Sequence, residues 1–342
     1  MTTPCERIRL SVAEAREHSE RALQRIGYEA EEARIIADHV IDAALCGYEY
    51  SGLAKILNIP EHRRFKRPRY PMKVLRETEV SILYDGGNNV GMLVMYHAAR
   101  AVIEKVKAHG IAVVGVTNSW MSGRSAYYVE MIARADLVGI HTAASARSVA
   151  PLGGIRPALG TNPIAFGMPS SRGPVVFDMG TSAFMGTDLA YRARLGKLLP
   201  EDVALDAEGR PTRDPILARL GALLPFGGYK GFGLAFIVQA FGLLAGSPLD
   251  PDKDDGYIFV VLKPDLLIGL DDFKQQGSEL IDRIKATPRR PGVGEIRIPG
   301  ERAFRERERA FRYGIEIDRA VFARLPLCSL DRHRVFRLPT LL

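Results

Sequence analysis

The sequence predicts an α/β (α+β) protein: a mixed domain of short strands and helices, flanked at both chain ends by helical segments. Three observations carry this. Apolar residues from Ser11 to about Cys46 fall at helical spacing; from about Lys73 short β-branched runs alternate with glycine turns and helical stretches; and from Ala303 the helical pattern returns. In the first stretch, Val12, Ala15, Ala22, Leu23 and Ile26 make one apolar face, and Ala33, Ile36, Val40, Ile41 and Ala44 a second. Two amphipathic helices divided at Gly27 follow, the first opened by Ser11 as N-cap with Glu14 at capping-box spacing. A third helix is expected after Gly47–Ser51, and the basic run EHRRFKRPRY leads out of this unit.

Strands are expected at Val80–Tyr84, Ile111–Val116, Leu137–Thr142, Pro163–Phe166, Val175–Phe177 and Ile258–Leu262. Helices are expected at Met92–Ala108, Arg124–Arg134, Ala183–Arg194, Phe232–Leu244 and Asp271–Ala286. The C-terminal stretch RERERAFRYGIEIDRAVFARL reads as helix packing back on the N-terminal helices. The implied division is 1–74 (helical), 75–288 (α/β, nucleotide and substrate binding) and 289–342 (C-terminal, helical).

At 342 residues, 46% hydrophobic and 25% charged, the chain is long enough for two packed domains and is neither disordered nor fibrous. A net charge of +7, spread along the chain, is a mild bias toward anionic partners. Cys5, Cys46 and Cys328 are too far apart for a metal knuckle or a disulfide framework. The N-terminus lacks a signal peptide's apolar core, which points to the cytoplasm. The most apolar later run, Gly231–Gly246, is shorter than the roughly 20 residues of a bilayer span and is expected to be a buried core helix.

Four clusters of Gly, Asn, Thr and Pro interrupt the mixed domain: DGGNNVG, LGTNP, DMGTS and GGYKGFG. Each is either a turn or a ligand cradle, since glycine lets backbone N–H groups approach an anion. No GxGxxG follows the first strand, and GGYKGFG lacks the P-loop spacing. In GGYKGFG, Lys230 precedes an apolar helix whose N–H groups can face an anion.

Taken in order, ADHVIDAALCGYEYSGLAKIL, DGGNNVG, NSWMSGRSAYYVEMIARADLVGI, APLGGIRPALGTNPIAFGMP, VVFDMGTS, ALDAEGRPTRDP, ALLPFGGYKGFGLAF and EIRIPGER resemble the malate/L-lactate dehydrogenase family, which includes Δ1-piperideine-2-carboxylate reductases. The resemblance implies a homodimeric NAD(P)H-dependent oxidoreductase with a non-Rossmann nicotinamide-binding α/β domain and a helical domain made by both chain ends. It implies cofactor contacts from Met121, Ser122, Gly123, Arg124, Ser125, Asp178, Met179, Gly180, Tyr229 and Lys230, and from the stretch holding Arg297, Pro299 and Arg302. It places Thr161 against the substrate, and it is the basis for NADPH over NADH.

The chain departs from the family at its acid–base machinery. A Ser-His-Gly triplet with an arginine one turn later is replaced by Tyr50, Ser51, Gly52 and Lys55, and a second family histidine aligns with Met121. Reduction of a 2-oxo acid needs a general acid as the alkoxide forms, whereas an imine can bind already protonated. The expected reaction is therefore hydride transfer to the α-carbon of a small cyclic imino acid. The alternatives are a 2-oxo acid/2-hydroxy acid dehydrogenase and a lapsed, nucleotide-binding family member.

Ser51 and Lys55, at i and i+4, would share one helical face. Lys55 is a carboxylate anchor or a solvated surface lysine; Ser51 holds water or substrate, or caps a helix. Tyr50 is a phenolic donor or a packing residue. Asp188 aligns with the family's catalytic aspartate and would stabilise an iminium or relay a proton; the alternative is a carboxylate on a helix dipole. No zinc pattern, HExxH or GxSxG is present, so neither a metal nor a covalent mechanism is expected. HRRFKRPR offers weak grounds for nucleic-acid binding.

Overall fold

The computed structural model describes residues 6–250 and 255–325. Cys5, Cys328 and the end of the C-terminal segment lie outside them. The chain opens with β1 (Arg7–Leu10), α1 (Val12–Arg25) and α2 (Ala30–Leu45). Ser11 caps α1 in a full capping box with Glu14, as its spacing predicts.

The expected third helix breaks into two 3-10 turns, Glu49–Ser51 and Leu53–Leu57, before the short α3 (Asn58–Glu61). Gly52 divides them at φ −79°, ψ −141°, because its Cα packs on α2: a Cβ there would lie 2.9 Å from the Ala44 Cβ. Ser51 and Lys55 thus sit on separate 3-10 segments. The shared α-helical face expected from their i, i+4 spacing does not exist.

The mixed domain holds β2 (Lys73–Glu77), β3 (Ser81–Asp85), α4 (Gly91–His109), β4 (Ile111–Thr117), α5 (Ser125–Arg134), β5 (Val138–Ala144), β6 (Ile164–Met168) and β7 (Val175–Met179). It continues through α6 (Gly186–Leu195), the pair β8 (Ala204–Leu205) and β9 (Ala222–Leu223) around α7 (Pro215–Leu220), α8 (Tyr229–Leu244), β10 (Gly256–Leu262) and α9 (Leu270–Lys285). Seven strands form one sheet in the order β2-β3-β4-β10-β5-β6-β7. Only β3 and β4 pair in parallel, so this is not the parallel, doubly wound sheet of a Rossmann domain. Its core packs Val102, Tyr128 and Ile132 of the helices on Val114, Tyr257 and Phe259 of the strands.

The C-terminal stretch forms α10 (Glu301–Tyr313), but the expected continuous helix ends there. Gly314, at φ 89°, turns the chain into β11 (Ile315–Asp318), followed by α11 (Arg319–Phe322). β11 pairs antiparallel with β1, Leu10 opposite Ile315, and a second core joins Ile36, Ile56, Ala310 and Ile317.

α8 corrects another expectation. It is apolar around most of its circumference, yet Phe236 is 60% and Leu244 73% exposed, with Ile237 and Leu243 beside them. Only Gly231, Ala235, Val238 and Gly242 are buried against the sheet. A helix packed by glycine and alanine lies close to the strands and turns its large side chains outward: a Cβ on Gly242 would reach the Ala144 Cβ.

Candidate active site

Three segments converge between the first helices and the sheet. The first runs from β4 to α5. Asn118, Met121 and Gly123 all take left-handed backbone there (φ 54°, 57° and 83°), which folds Met121–Ser125 into a tight shelf against α4. Gly91 at the start of α4 permits the approach, since a Cβ would stand 2.7 Å from the Ser122 Cα. His39 of α2 lies beneath this shelf. Its Nε2 accepts the Arg124 backbone N–H at 2.8 Å, so the neutral ring carries its proton on Nδ1, which has no hydrogen-bond partner.

The second segment is the end of β7. Asp178 Oδ2 accepts the Ala126 N–H at 2.9 Å and so closes the open N-terminus of α5. Burial raises its carboxyl pKa, while the α5 backbone and the Arg124 guanidinium pull it back. Met179, Gly180 and Thr161 lie together here. Thr161 O accepts the Thr181 N–H at 2.9 Å, and a Cβ on Gly180 would meet Met185 Sδ at 2.5 Å.

The third is the 3-10 turn carrying Tyr48, Tyr50 and Ser51. Glu49 anchors it, accepting from Tyr191 Oη of α6 at 2.6 Å and from Arg7 Nη1 at 2.8 Å. Tyr50 is half-buried, and its phenol is pushed up first by burial, then by Tyr48 and the carboxylates of Asp188 and Asp178. Asp188, in the first turn of α6, is raised by burial although Arg192 Nε stands 3.5 Å away. The turn therefore places Tyr50 and both aspartates in one electrostatic field.

Ser51 is 7% and Lys55 4% exposed. The solvated-lysine alternative is thereby removed. No described residue accepts a hydrogen bond from the Lys55 ammonium or pairs with it. Burial alone draws its pKa down to about 8, and its charge in turn lowers that of His39.

Arg124 and Arg302 share the Tyr48 ring, their guanidinium carbons 5.1 and 4.6 Å from its centroid. Arg124 pairs with Asp42 at 2.7 Å; Arg307 binds Asp42 at 2.8 Å and Glu130 at 2.7 Å. Beside Arg302 opens a polar cleft of about 250 Å³, lined also by Arg7, Gly47, Glu49, Glu306 and Arg309.

Tyr229 and Lys230 stand apart from this group, exposed at the start of α8. α8 reaches the site through its base: Thr181 O accepts the Phe226 N–H at 2.9 Å. The preceding Gly227 and Gly228 have positive φ and open space where a Cβ would stand, and the first turn holds no acidic residue. The phosphates of a dinucleotide fit such an end. Arg297 and Pro299 are exposed on a coil whose Gly300 rests on the β7 backbone, a Cβ there reaching Val176 O at 2.9 Å.

Sequence reasoning missed His39 and Asp42, three residues apart on α2 and directed at the shelf. The available signal was a histidine set among Ile35, Ile36, Val40 and Ile41 on a buried helix. The basic run is partly internal. Arg64 is buried and donates to Asn88 Oδ1, Ser119 O and Asn118 Oδ1, while Arg69 pairs with Glu32. Among the described residues no cluster of three His, Cys, Asp or Glu is placed to hold a metal ion. No helix of the described residues is long and apolar enough to cross a membrane.

The profile of the malate/L-lactate dehydrogenase family matches residues 10–326. The chain is 35% identical over 308 residues to L-sulfolactate dehydrogenase of Methanothermobacter thermautotrophicus, covering 86% of this chain and 89% of that protein. It is 32% identical over 339 residues to Δ1-pyrroline-2-carboxylate reductase 2 of Burkholderia multivorans, covering 94% and 98%. Among solved structures, Δ1-piperideine-2-carboxylate reductase of Pseudomonas syringae superposes with a TM-score of 0.80 at 29% identity, over 94% of this chain and all of that one. A match that spans both chain ends and the sheet between them, with dehydrogenases and reductases among the relatives, makes the protein an oxidoreductase belonging to the malate/L-lactate dehydrogenase family.

Proposed function

We propose that the protein is an NAD(P)H-dependent reductase of a small cyclic imino acid of the Δ1-pyrroline- or Δ1-piperideine-2-carboxylate type. The observation that carries this is the field at Tyr50: the carboxylates of Asp178 and Asp188 both act on its phenol, and the neighbouring side chain is Ser51, not an imidazole. Two carboxylates stabilise an iminium cation and oppose the alkoxide that ketone reduction generates. Lys55, buried and without a counterion among the described residues, would receive the substrate carboxylate, with Thr161 beside it.

A reduced nicotinamide bound along Met121–Ser125 and Asp178–Gly180 would supply hydride to the imine carbon. Its phosphates would lie on Tyr229–Lys230 and the stretch holding Arg297, Pro299 and Arg302. The family resemblance and the +7 charge favour NADPH over NADH. The β1–β11 pairing supports one unit made by both chain ends, while the boundary expected at 74 falls inside β2 of the large sheet. The exposed apolar face of α8 favours a homodimer, and a cytoplasmic protein without a membrane or nucleic-acid partner belongs to the same proposal.

The sulfolactate and malate dehydrogenases among its relatives support a second reading, a 2-oxo acid reductase in which the raised carboxyl of Asp188 donates the proton. Loss of reduced-cofactor absorbance with Δ1-pyrroline- and Δ1-piperideine-2-carboxylate is compared with pyruvate and 2-oxosuccinate. Turnover of the imines supports the proposal and turnover of the oxo acids alone replaces it. Cofactor binding without any turnover makes the chain a lapsed family member.

A further inference from the structure

We propose that Lys55 is the proton donor of this site: its ammonium bridges the substrate carboxylate and the adjacent imine nitrogen and passes a proton to that nitrogen. The inference rests on the substrate reading above and adds a catalytic step to what is there only an anchor.

The geometry is that of a buried cation suited to an incoming anion. Lys55 projects from the second 3-10 turn, is nearly inaccessible, and has no acceptor among the described residues. α1, α2, α3, α11 and the preceding turn pack around that turn, and no carboxylate on them acts on the amine. Among the described residues its charge acts on His39 of α2. That ring is held neutral, its Nε2 committed to the Arg124 N–H, and the same ring lies beneath Gly123. Lys55 is thereby linked, through one imidazole, to the shelf that would line the cofactor.

In a conjugated 2-imino acid the nitrogen lone pair and one carboxylate oxygen lie side by side in one plane. An ammonium has three N–H donors and serves both at once. One Nζ–H bond breaks as the ring N–H bond forms, and its electron pair stays on Nζ as the lone pair of a neutral amine. The positive charge moves from a buried lysine to the substrate, and Lys55 regains its proton from water. Burial makes the amine a willing acid near neutral pH, whereas Tyr50 is pushed the other way. A guanidinium would bind the carboxylate as well but would keep its proton.

The discriminating variant is Lys55→Arg, assayed as the full chain with Δ1-pyrroline-2-carboxylate and NADPH or NADH. The expected result is a KM within about threefold of wild type, a kcat lowered about 100-fold or more, in the range of general acid catalysis, and loss of the decline in rate above pH 8. A kcat within about fivefold of wild type overturns the proposal. A second measurement avoids turnover: calorimetry of cofactor-free protein binding pyrrole-2-carboxylate at pH 9, in two buffers of different ionisation heat. Wild type should take up protons, because the carboxylate restores the charged amine, and Lys55→Arg should take up none. Binding by wild type without proton uptake overturns the role of Lys55. Failure of wild type to reduce any cyclic imine, with oxo acids turned over, overturns the substrate reading instead, and proton uptake still decides on Lys55. Lys55→Met, which removes a buried charge and should fold, is expected to lose analogue binding; retained affinity would contradict the bridge.

Discussion

The α-carbon of Gly123 rests on the imidazole of His39, so closely that a Cβ would run into Nε2, the atom that accepts the Arg124 N–H. Glycine is required twice here, for a φ of 83° and for the contact. Gly123→Ala should cost of order 1–3 kcal/mol from backbone strain alone, with displacement of His39 adding to it. Urea unfolding measures the loss, and cofactor titration should show weakened binding because the 121–125 shelf shifts. An unchanged midpoint would mean that the shelf relaxes freely.

Arg307 is a second cation for two buried carboxylates, Asp42 on α2, which also pairs with Arg124, and Glu130 on α5, which also pairs with Arg134. It therefore fastens α10 to both α2 and α5. Its partners keep the Glu130 carboxyl below the ordinary range despite burial, whereas Asp42 is raised. Arg307→Met should destabilise by about 1–3 kcal/mol at pH 7, the cost of removing charge-assisted hydrogen bonds from two carboxylates that keep Arg124 and Arg134. Because the folded pKa of Glu130 is depressed, its contribution is present above the unfolded value near 4.5 and is lost as pH falls through the lower folded value. The variant's deficit should shrink on acidification, which denaturant titrations at pH 7 and pH 4 would detect.

The secondary structure was legible wherever one face of an element is buried. α4, β4 and β10, with apolar runs of five or six residues, start and stop within two residues of expectation. β1, β2 and β11 were not legible. RIRL and IEID pair with each other across the whole chain, and KVLRE is an exposed edge strand with no apolar face to mark it. The third helix failed because helical spacing around Ser51 and Lys55 does not reveal that Gly52 must touch Ala44. The site was legible as glycine clusters and as a family pattern. The partnerless state of Lys55 and the His39–Gly123 contact are tertiary facts that no local spacing encodes.

Arg64 shows how charge can mislead in a sequence. Its guanidinium ties Asn88, Asn118 and Ser119, residues of two glycine- and asparagine-rich loops, while His62 stacks on Trp120 at 4.4 Å. Arg64→Met should leave buried acceptors unpaired, each costing about 1–3 kcal/mol. It should lower the thermal midpoint well beyond Lys66→Met, a change at an exposed cation of the same basic run. Equal midpoints for the two variants would show that Arg64 is dispensable.

Phe236, Ile237, Leu243 and Leu244 form an apolar stripe on α8 that no described residue covers. If a second copy covers it, Phe236→Glu and Leu244→Glu should give monomers in sedimentation velocity with native circular dichroism. Both side chains already face outward, so the folded monomer should tolerate the change within about 0.5 kcal/mol. A wild type that sediments as a monomer would reject this interface.

Lys55 should make the protein less stable than it could be, and the pH dependence gives the test. The folded amine titrates near 8 against an ordinary 10.5, so the folded state binds the proton more weakly than the unfolded chain does. Below pH 8 both states are protonated and the full penalty of burial applies. Between 8 and 10.5 the folded state releases its proton while the unfolded chain retains one, so stability rises with pH across this window. The difference corresponds to about 3 kcal/mol. Lys55→Met should therefore be more stable than wild type at pH 7 by up to about 3 kcal/mol, with the advantage fading as pH rises through the window. Denaturant titrations of both proteins at pH 7 and pH 9.5, free of cofactor, would show it. A wild type as stable as the methionine variant at pH 7 would mean that the amine finds a partner in solution, and that its charge is not held ready for a substrate carboxylate.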